Sequence, residues 1–153
     1  MIESDSRANG GALRGAAAAP WWWFALGGLV AAALAAAANL AWRAAFSSVT
    51  GHPLPPAIDA LSVAVASTLP VLLGAGIYLL LARSFAIATP LYALGAIAVA
   101  VASCVATFTP VLPDGTPAPP EFPTLAIPMH LIAGVVAAVI TPLIVALGAR
   151  TRS

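Results

Sequence analysis

Residues 125–147, LAIPMHLIAGVVAAVITPLIVAL, form a long apolar stretch in which His130 is the only ionisable side chain. A helix that crosses a bilayer needs about 20 consecutive, mainly apolar residues, so this stretch predicts a membrane-spanning helix. A titratable side chain is costly at membrane depth and usually faces other helices or a water-filled cavity. His130 is therefore a candidate functional residue that we expect to face the interior of a helix bundle.

The composition of the whole chain agrees with a membrane protein. Hydrophobic residues make up 61% of the 153 residues, charged residues only 7%, and the mean hydropathy is +1.01. Soluble domains carry about 25% charged residues, so a soluble fold is excluded. The length allows four spans of about 20 residues and no separate soluble catalytic domain. The fold class predicted is an all-α integral membrane four-helix bundle.

Four apolar runs place the spans and the segments between them. We expect spans at about 21–42, 58–82, 86–108 and 125–147, within a domain over residues 20–149. Residues 1–19 are predicted to be a disordered tail, and residues 150–153 a short polar tail. The loops are predicted at 44–57 and 109–124, where proline is dense. A cleaved signal peptide is the alternative for the first run, but such apolar regions are only about 7–15 residues long.

The arginines predict the orientation in the membrane. Arg43 lies on one side of this four-span scheme, and the other five arginines lie on the opposite side: Arg7, Arg14, Arg83, Arg150 and Arg152. Because basic residues accumulate on the cytoplasmic side, we expect both termini in the cytoplasm. The two proline-rich loops are then extracytoplasmic, and the protein is a multi-pass protein of the inner cell membrane.

Small residues recur at helical spacing within the spans. Those expected to pack helices together are Gly27, Ala31, Ala35, Gly74, Gly134 and Ala138. The first three share a stripe with Asn39 and Arg43, because residues four positions apart lie on one helix face. Small residues allow two helices to approach closely, so the stripe is expected to face a neighbouring helix. The alternative is that alanine is so common in this span that the period is accidental.

Four polar side chains are expected at a similar depth, in the outer third of the membrane: Asn39, Arg43, Asp59 and His130. If the first, second and fourth spans meet there, Arg43 can pair with Asp59, and His130 can bond to Asn39 or to the acid. A structural network that fixes the helix register explains the same residues. Asp59 also has a simpler explanation as an acid at the positive end of a helix.

No established catalytic or cofactor motif is present. The chain lacks a phosphate-binding loop, a His-Glu-x-x-His motif, a Gly-x-Ser-x-Gly motif and a dinucleotide fingerprint. Two histidines and the single cysteine, Cys104, are poor material for a zinc site, and six scattered arginines do not make a nucleic-acid-binding surface. We therefore expect no enzyme activity, cofactor, metal or nucleic-acid partner.

The remaining expectation is a structural or accessory role in the lipid bilayer, packing with itself as a homo-oligomer or with a membrane-protein partner. The alternative is a small oligomeric transporter or proton-coupled carrier that uses the polar cluster. Transporters usually place ionisable groups near the membrane midplane, and here the midplane carries Pro70 but no acid.

The fourth span opens with the sequence Ile127-Pro128-Met129-His130-Leu131-Ile132-Ala133-Gly134. With this segment and its proline-rich outer loops, the core from Trp21 to Arg150 resembles an uncharacterised family of small four-span bacterial membrane proteins, a domain of unknown function. The resemblance implies a bacterial inner-membrane location, and it supplies no activity or site residue.

Overall fold

A computed structural model describes residues 15–51, 54, 58–108, 111 and 115–151 of the chain. These residues form helices and contain no strand. The helices are α1 Gly15–Ala18, α2 Trp21–Thr50, α3 Ala60–Ser84, α4 Ala88–Val105 and α5 Phe122–Arg150. The last four are long and apolar enough to cross a membrane. The predicted all-α fold is confirmed, and the described residues contain four helices that are able to span a membrane.

The first helix of the bundle is longer than predicted. α2 continues to Thr50, so the first half of the predicted loop 44–57 is helical. The hydroxyls of Ser48 and Thr50 donate to the carbonyls of Ala45 and Phe46, at 2.9 and 2.7 Å. Such local bonds satisfy polar side chains within a helix, and they explain why polarity alone did not mark its end. The helix stops at Gly51, whose φ of 67° is a left-handed conformation that favours glycine.

The other helix ends lie within three residues of their predicted positions. α5 begins at Phe122 and includes Pro123 in its first turn, where the missing N–H of proline costs no hydrogen bond. α4 is shorter than predicted and ends at Val105. Residues 52–53, 55–57, 109–110 and 112–114, in the predicted proline-rich loops, lie outside the described residues.

The N-terminal segment differs from the predicted tail where it is described. Residues 1–14, with Arg7 and Arg14, lie outside the described residues, as do Arg152 and Ser153. Residues 15–18 form the short helix α1, and Ala19 beyond it is buried. The Arg83 guanidinium donates to the carbonyls of Ala17 and Ala19, at 2.8 and 3.2 Å. Arginine thus satisfies carbonyls at the end of α1 that have no partner in their own helix.

Small residues bring the backbones of the long helices close together. α2 packs against α3 and α5, and α4 packs against α5. A Cβ on Gly27 would lie 3.0 Å from the carbonyl oxygen of Thr141, and one on Gly28 would lie 2.6 Å from the Cβ of Ala75. Gly134 packs in the same way against Ala100. Close packing of this kind holds helices together where lipid removes the hydrophobic driving force.

The two ends of the bundle are packed differently. We call the end at which α3 is followed by α4 the hairpin end, and the opposite end the loop end. At the hairpin end the Tyr78 ring stacks on Tyr92, with centroids 4.7 Å apart, and lies 5.2 Å from Phe24. The hydroxyls of Tyr78 and Thr89 share a hydrogen bond of 2.7 Å. These contacts hold α3 and α4 together at the hairpin end.

Candidate binding site

A groove of about 710 Å³ lies between α3 and α4, with Tyr92 among the residues that line it, and we call it the α3/α4 groove. α5 and Asn39 of α2 form its inner wall. Residues that line it include Ser62, Ala66, Pro70, Gly74, Ile77 and Leu81 of α3, Leu91, Gly95, Val99 and Ser103 of α4, Ala126, His130 and Gly134 of α5, and Asn39 of α2. This volume lies within the range of about 300–1,000 Å³ that is usual for small-molecule sites.

The sequence explains why this space stays open. Gly95 has no side chain to fill it, and a Cβ built there would meet nothing within 4 Å. Pro70 lies inside α3 and has no N–H, so the carbonyl of Ala66 lacks its helical partner. A proline at such a position also bends a helix. Both residues line the groove, so a missing side chain on α4 and a bend in α3 help to keep it open.

Asn39 joins three helices at the inner wall of the groove. Its Nδ2 donates to the Ser67 hydroxyl at 2.9 Å and to the Met129 carbonyl at 3.1 Å. The Ser67 hydroxyl in turn donates to the Val63 carbonyl at 2.7 Å. The side chain of Asn39 is 2% exposed, and its Oδ1 has no hydrogen-bond partner in the described part of the chain. Asn39 thus fixes the register of α2, α3 and α5 and keeps one acceptor unused.

The expected ion pair between Arg43 and Asp59 is not formed. Arg43 donates instead from Nε to the carbonyl of Ile58, at 2.8 Å. The Asp59 carboxylate caps α3 by accepting from the Ser62 N–H, at 2.7 Å. Asp59 is exposed, so water stabilises its charge and no partner is required. The simpler interpretation of Asp59, as an acid at a helix start, is confirmed.

The capping bond also changes the acidity of Asp59. The Ser62 N–H lowers the pKa of this carboxyl below its ordinary value, because the bond is made to the charged form. The positive charge of Arg43 acts in the same direction and contributes less. The effect of Arg43 on Asp59 is thus a weak, solvent-screened attraction.

His130 does not bond to Asn39 or to Asp59, as the predicted cluster required. It is half-buried, lines the groove and makes no hydrogen bond to the described residues. Asn39 bonds to the backbone carbonyl of the preceding residue, Met129, so the two polar side chains lie at one level of the bundle. The structure therefore brings Asn39 and His130 together at the groove and leaves Arg43 and Asp59 at its loop end.

The small-residue positions fall into two groups. Gly27, Ala31 and Ala35 are buried against the chain's own α3 and α5, and Ala138 is buried in α5. Gly74 lies at the groove under Tyr92, whose hydroxyl would be 3.4 Å from a Cβ at that position. The stripe on α2 is therefore used inside the molecule.

Two groups at this site were not predicted from the sequence. Ser67, which is 4% exposed, accepts from Asn39, and the Trp42 indole donates to the Leu125 carbonyl at 3.0 Å. A signal for Ser67 was present, since a buried amide in one span needs a polar partner in another. Within the described residues no group of three or more His, Cys, Asp or Glu side chains could hold a metal ion.

Comparisons with known proteins found no matching family model, no similar curated protein and no similar solved structure. The interpretation of the site accordingly rests on its geometry.

Proposed function

We propose that this multi-pass membrane protein has an accessory, non-catalytic role, in which the α3/α4 groove binds an apolar molecule taken from the bilayer. The observation that carries the proposal is the groove itself, about 710 Å³ of open space between two membrane-crossing helices. Most of its lining side chains are apolar, which suits a partner that is dissolved in lipid.

The stripe on α2 supports this choice of surface. We expected a second copy or a partner protein to pack on small residues such as Gly27, Ala31 and Ala35. Those residues already contact α3 and α5 of the same chain. A partner would have to displace these helices to reach the stripe, whereas the groove is open in the folded molecule.

A matched pair of glycine variants tests the groove. Gly95 lines it and Gly76 does not, yet a Cβ at either position meets nothing within 4 Å. Wild-type protein purified in mild detergent is expected to retain a bound apolar molecule, detected by native mass spectrometry. Gly95→Leu should lose that molecule and Gly76→Leu should keep it. Equal retention by both variants would show that the molecule binds elsewhere, and the proposal would be wrong.

For the orientation, we propose cytoplasmic termini in a bacterial inner membrane, with the loop end outside. The hairpin end brings together the start of α2, the end of α3 and the end of α5, with Arg83 and Arg150. Arg43 lies near the opposite end. This distribution of charge supports the orientation through the preference of arginine for the cytoplasmic side.

A proton-coupled carrier is the second candidate. The observation that favours it is Pro70, because interrupted helices often form transporter binding sites and this interruption lines the groove. A carrier requires uptake driven by a proton gradient in reconstituted vesicles, and that uptake should be lost in His130→Ala. Binding to the groove without any uptake would leave the accessory role in place.

A further inference from the structure

We infer that the α3/α4 groove holds a long-chain neutral alcohol: one extended apolar chain whose terminal hydroxyl bonds at the level of Asn39 and His130. The inference rests on the proposed binding role of the groove. It adds the shape, the charge and the hydrogen-bonding chemistry of the molecule that binds.

The length of the groove suits a single extended chain. Its lining residues on α3 run from Ser62 to Leu81, about 28 Å along a helix that rises 1.5 Å per residue. The lining on α4 runs antiparallel beside it, from Leu91 to Ser103, so a linear molecule can lie between the two helices along its whole length. The volume of about 710 Å³ is in the range of small-molecule sites.

Three hydrogen-bonding groups meet at one level of the groove. The bonds from Asn39 to Ser67 and to the Met129 carbonyl bring the adjacent residues, Ala66 and His130, to that level. The Ala66 carbonyl lacks its usual helical donor because Pro70 has no N–H, so it can accept from a hydroxyl in the groove. Asn39 Oδ1 also has no hydrogen-bond partner among the described residues, but it is fully buried and contributes polarity rather than a direct bond. The His130 imidazole makes no bond within the described residues. A hydroxyl both donates and accepts, so it can serve an acceptor and the imidazole together.

The charge of the lining excludes ionic head groups. Among the described residues that line the groove there is no Lys, Arg, Asp or Glu. Arg43 and Asp59, at the loop end, already bond to the Ile58 carbonyl and the Ser62 N–H. A phosphate, carboxylate or ammonium group at the level of Asn39 would therefore have no counter-charge among the lining residues. Removing an unpaired charge from water costs far more than removing a hydroxyl that is hydrogen-bonded. The head group is therefore neutral.

The polar level also lies where an amphiphile places its head. Asn39 is about 27 Å along α2 from Trp21, near the far edge of a hydrocarbon core about 30 Å thick. From Ser67 at that level, the groove continues for about 21 Å to Leu81 towards the hairpin end. This distance is more than one leaflet of about 15 Å, so the chain is long.

The test uses hexadecanol with a photoreactive diazirine in its chain, added to the purified protein in nanodiscs. Crosslinked peptides are mapped by mass spectrometry, and competition is measured with unlabelled hexadecanol, hexadecane, hexadecyl phosphate and hexadecyl trimethylammonium. We expect crosslinks to groove residues of α3 and α4, and hexadecanol should compete about threefold to tenfold better than the other three.

Two variants each take one bonding partner away from a ligand hydroxyl, and neither breaks a hydrogen bond of the folded chain. His130→Phe deletes the imidazole, and Pro70→Ala supplies the N–H that the Ala66 carbonyl lacks. Each should reduce the advantage of hexadecanol over hexadecane several-fold while crosslinking remains in the groove. Gly95→Leu should abolish groove crosslinking by the alcohol, and Gly76→Leu should leave it unchanged.

The outcomes separate the two proposals. Equal competition by all four compounds, or preference for the phosphate, would overturn the inference that the ligand is an alcohol. The groove would still be a binding site. Absence of any groove crosslink would overturn both. A crosslinked dimer joined through groove residues would identify a second copy as the occupant, and would also overturn the alcohol.

Discussion

At the scale of single residues, depth decides which polar groups bond to each other. Arg43 lies about 33 Å along α2 from Trp21 and Asn39 about 27 Å, so a hydrocarbon core about 30 Å thick that begins at Trp21 would end between them. Arg43 and Asp59 can therefore use water and local backbone groups. Asn39 is buried and bonds across the bundle to Ser67.

This difference predicts how paired substitutions combine. Asn39→Ala and Ser67→Ala remove the two sides of one buried bond, so their effects on unfolding free energy should be non-additive. The coupling should be about 0.6 kcal/mol and no more than about 1.7 kcal/mol, the average and the maximum measured for such bonds in a membrane protein. Arg43→Ala and Asp59→Ala should be additive, because each residue has its own backbone partner. Unfolding titrations in detergent measure both double-mutant cycles. Strong coupling between Arg43 and Asp59 would indicate that they form an ion pair after all.

A second prediction concerns the cap at Asp59. Its folded pKa is below its ordinary value because the carboxylate accepts the Ser62 N–H. The stability that it adds is therefore present above the ordinary pKa of about 3.9 and is lost as the pH falls through the lower, folded value. Asp59→Ala should lower the melting temperature at pH 7. Asp59→Asn, whose side chain can still cap the helix, should lower it much less. In both variants the acid-dependent loss below about pH 4 should be smaller than in the wild type.

At the scale of helices, the sequence predicted that four long helices exist and in which order they come. It predicted less well where each helix ends and which of its faces packs against a neighbour. Hydropathy placed all four spans, because a bilayer imposes one length on every crossing helix. It did not place the end of α2, since Ser48 and Thr50 look like loop residues until their hydroxyls bond to their own helix. It also did not distinguish the neighbours Gly74 and Gly76. Gly74 lies against Tyr92, and Gly76 meets open space. This difference depends on how α4 packs against α3.

Glycine substitutions test these helix contacts. Alanine at Gly28 would place its Cβ 2.6 Å from that of Ala75, so α2 and α3 must separate. We expect a loss of about 1–3 kcal/mol in unfolding free energy, as for overpacked cores. Gly76→Ala meets nothing and should be neutral or stabilising by up to about 1 kcal/mol through helix propensity. The same unfolding titrations compare the two. A harmless Gly28→Ala would mean that α2 and α3 are farther apart than described.

At the scale of the whole molecule, the two ends of the bundle differ. Aromatic stacking of Tyr78, Tyr92 and Phe24 joins the helices at the hairpin end, and the groove runs along α3 and α4 past this cluster to Leu81 and Leu91. The sequence indicated neither feature, because both arise from pairs of residues that are distant in the chain. It did indicate a polar level near the loop end. Two of the four residues in that expected cluster, Asn39 and His130, face the groove, and the pairing of the other two was wrong.

The orientation of this asymmetric bundle can be tested with reporter fusions. With the hairpin end in the cytoplasm, a reporter active only outside should be silent after Ser153 or when inserted after Phe85, which follows α3. Insertion at Gly115, in the segment before α5, should give activity. Gly115 suits an insertion because it is exposed and has a turn conformation, with φ of 83°. A cytoplasm-active reporter at the same three positions is the matched control and should give the reverse pattern.

Outside activity at Ser153 would mean that the bundle has the opposite orientation, and the polar level of the groove would then lie in the cytoplasmic leaflet. The ligand would in that case enter with its head on the cytoplasmic side, since the positions of Asn39 and His130 relative to the chain path do not depend on orientation.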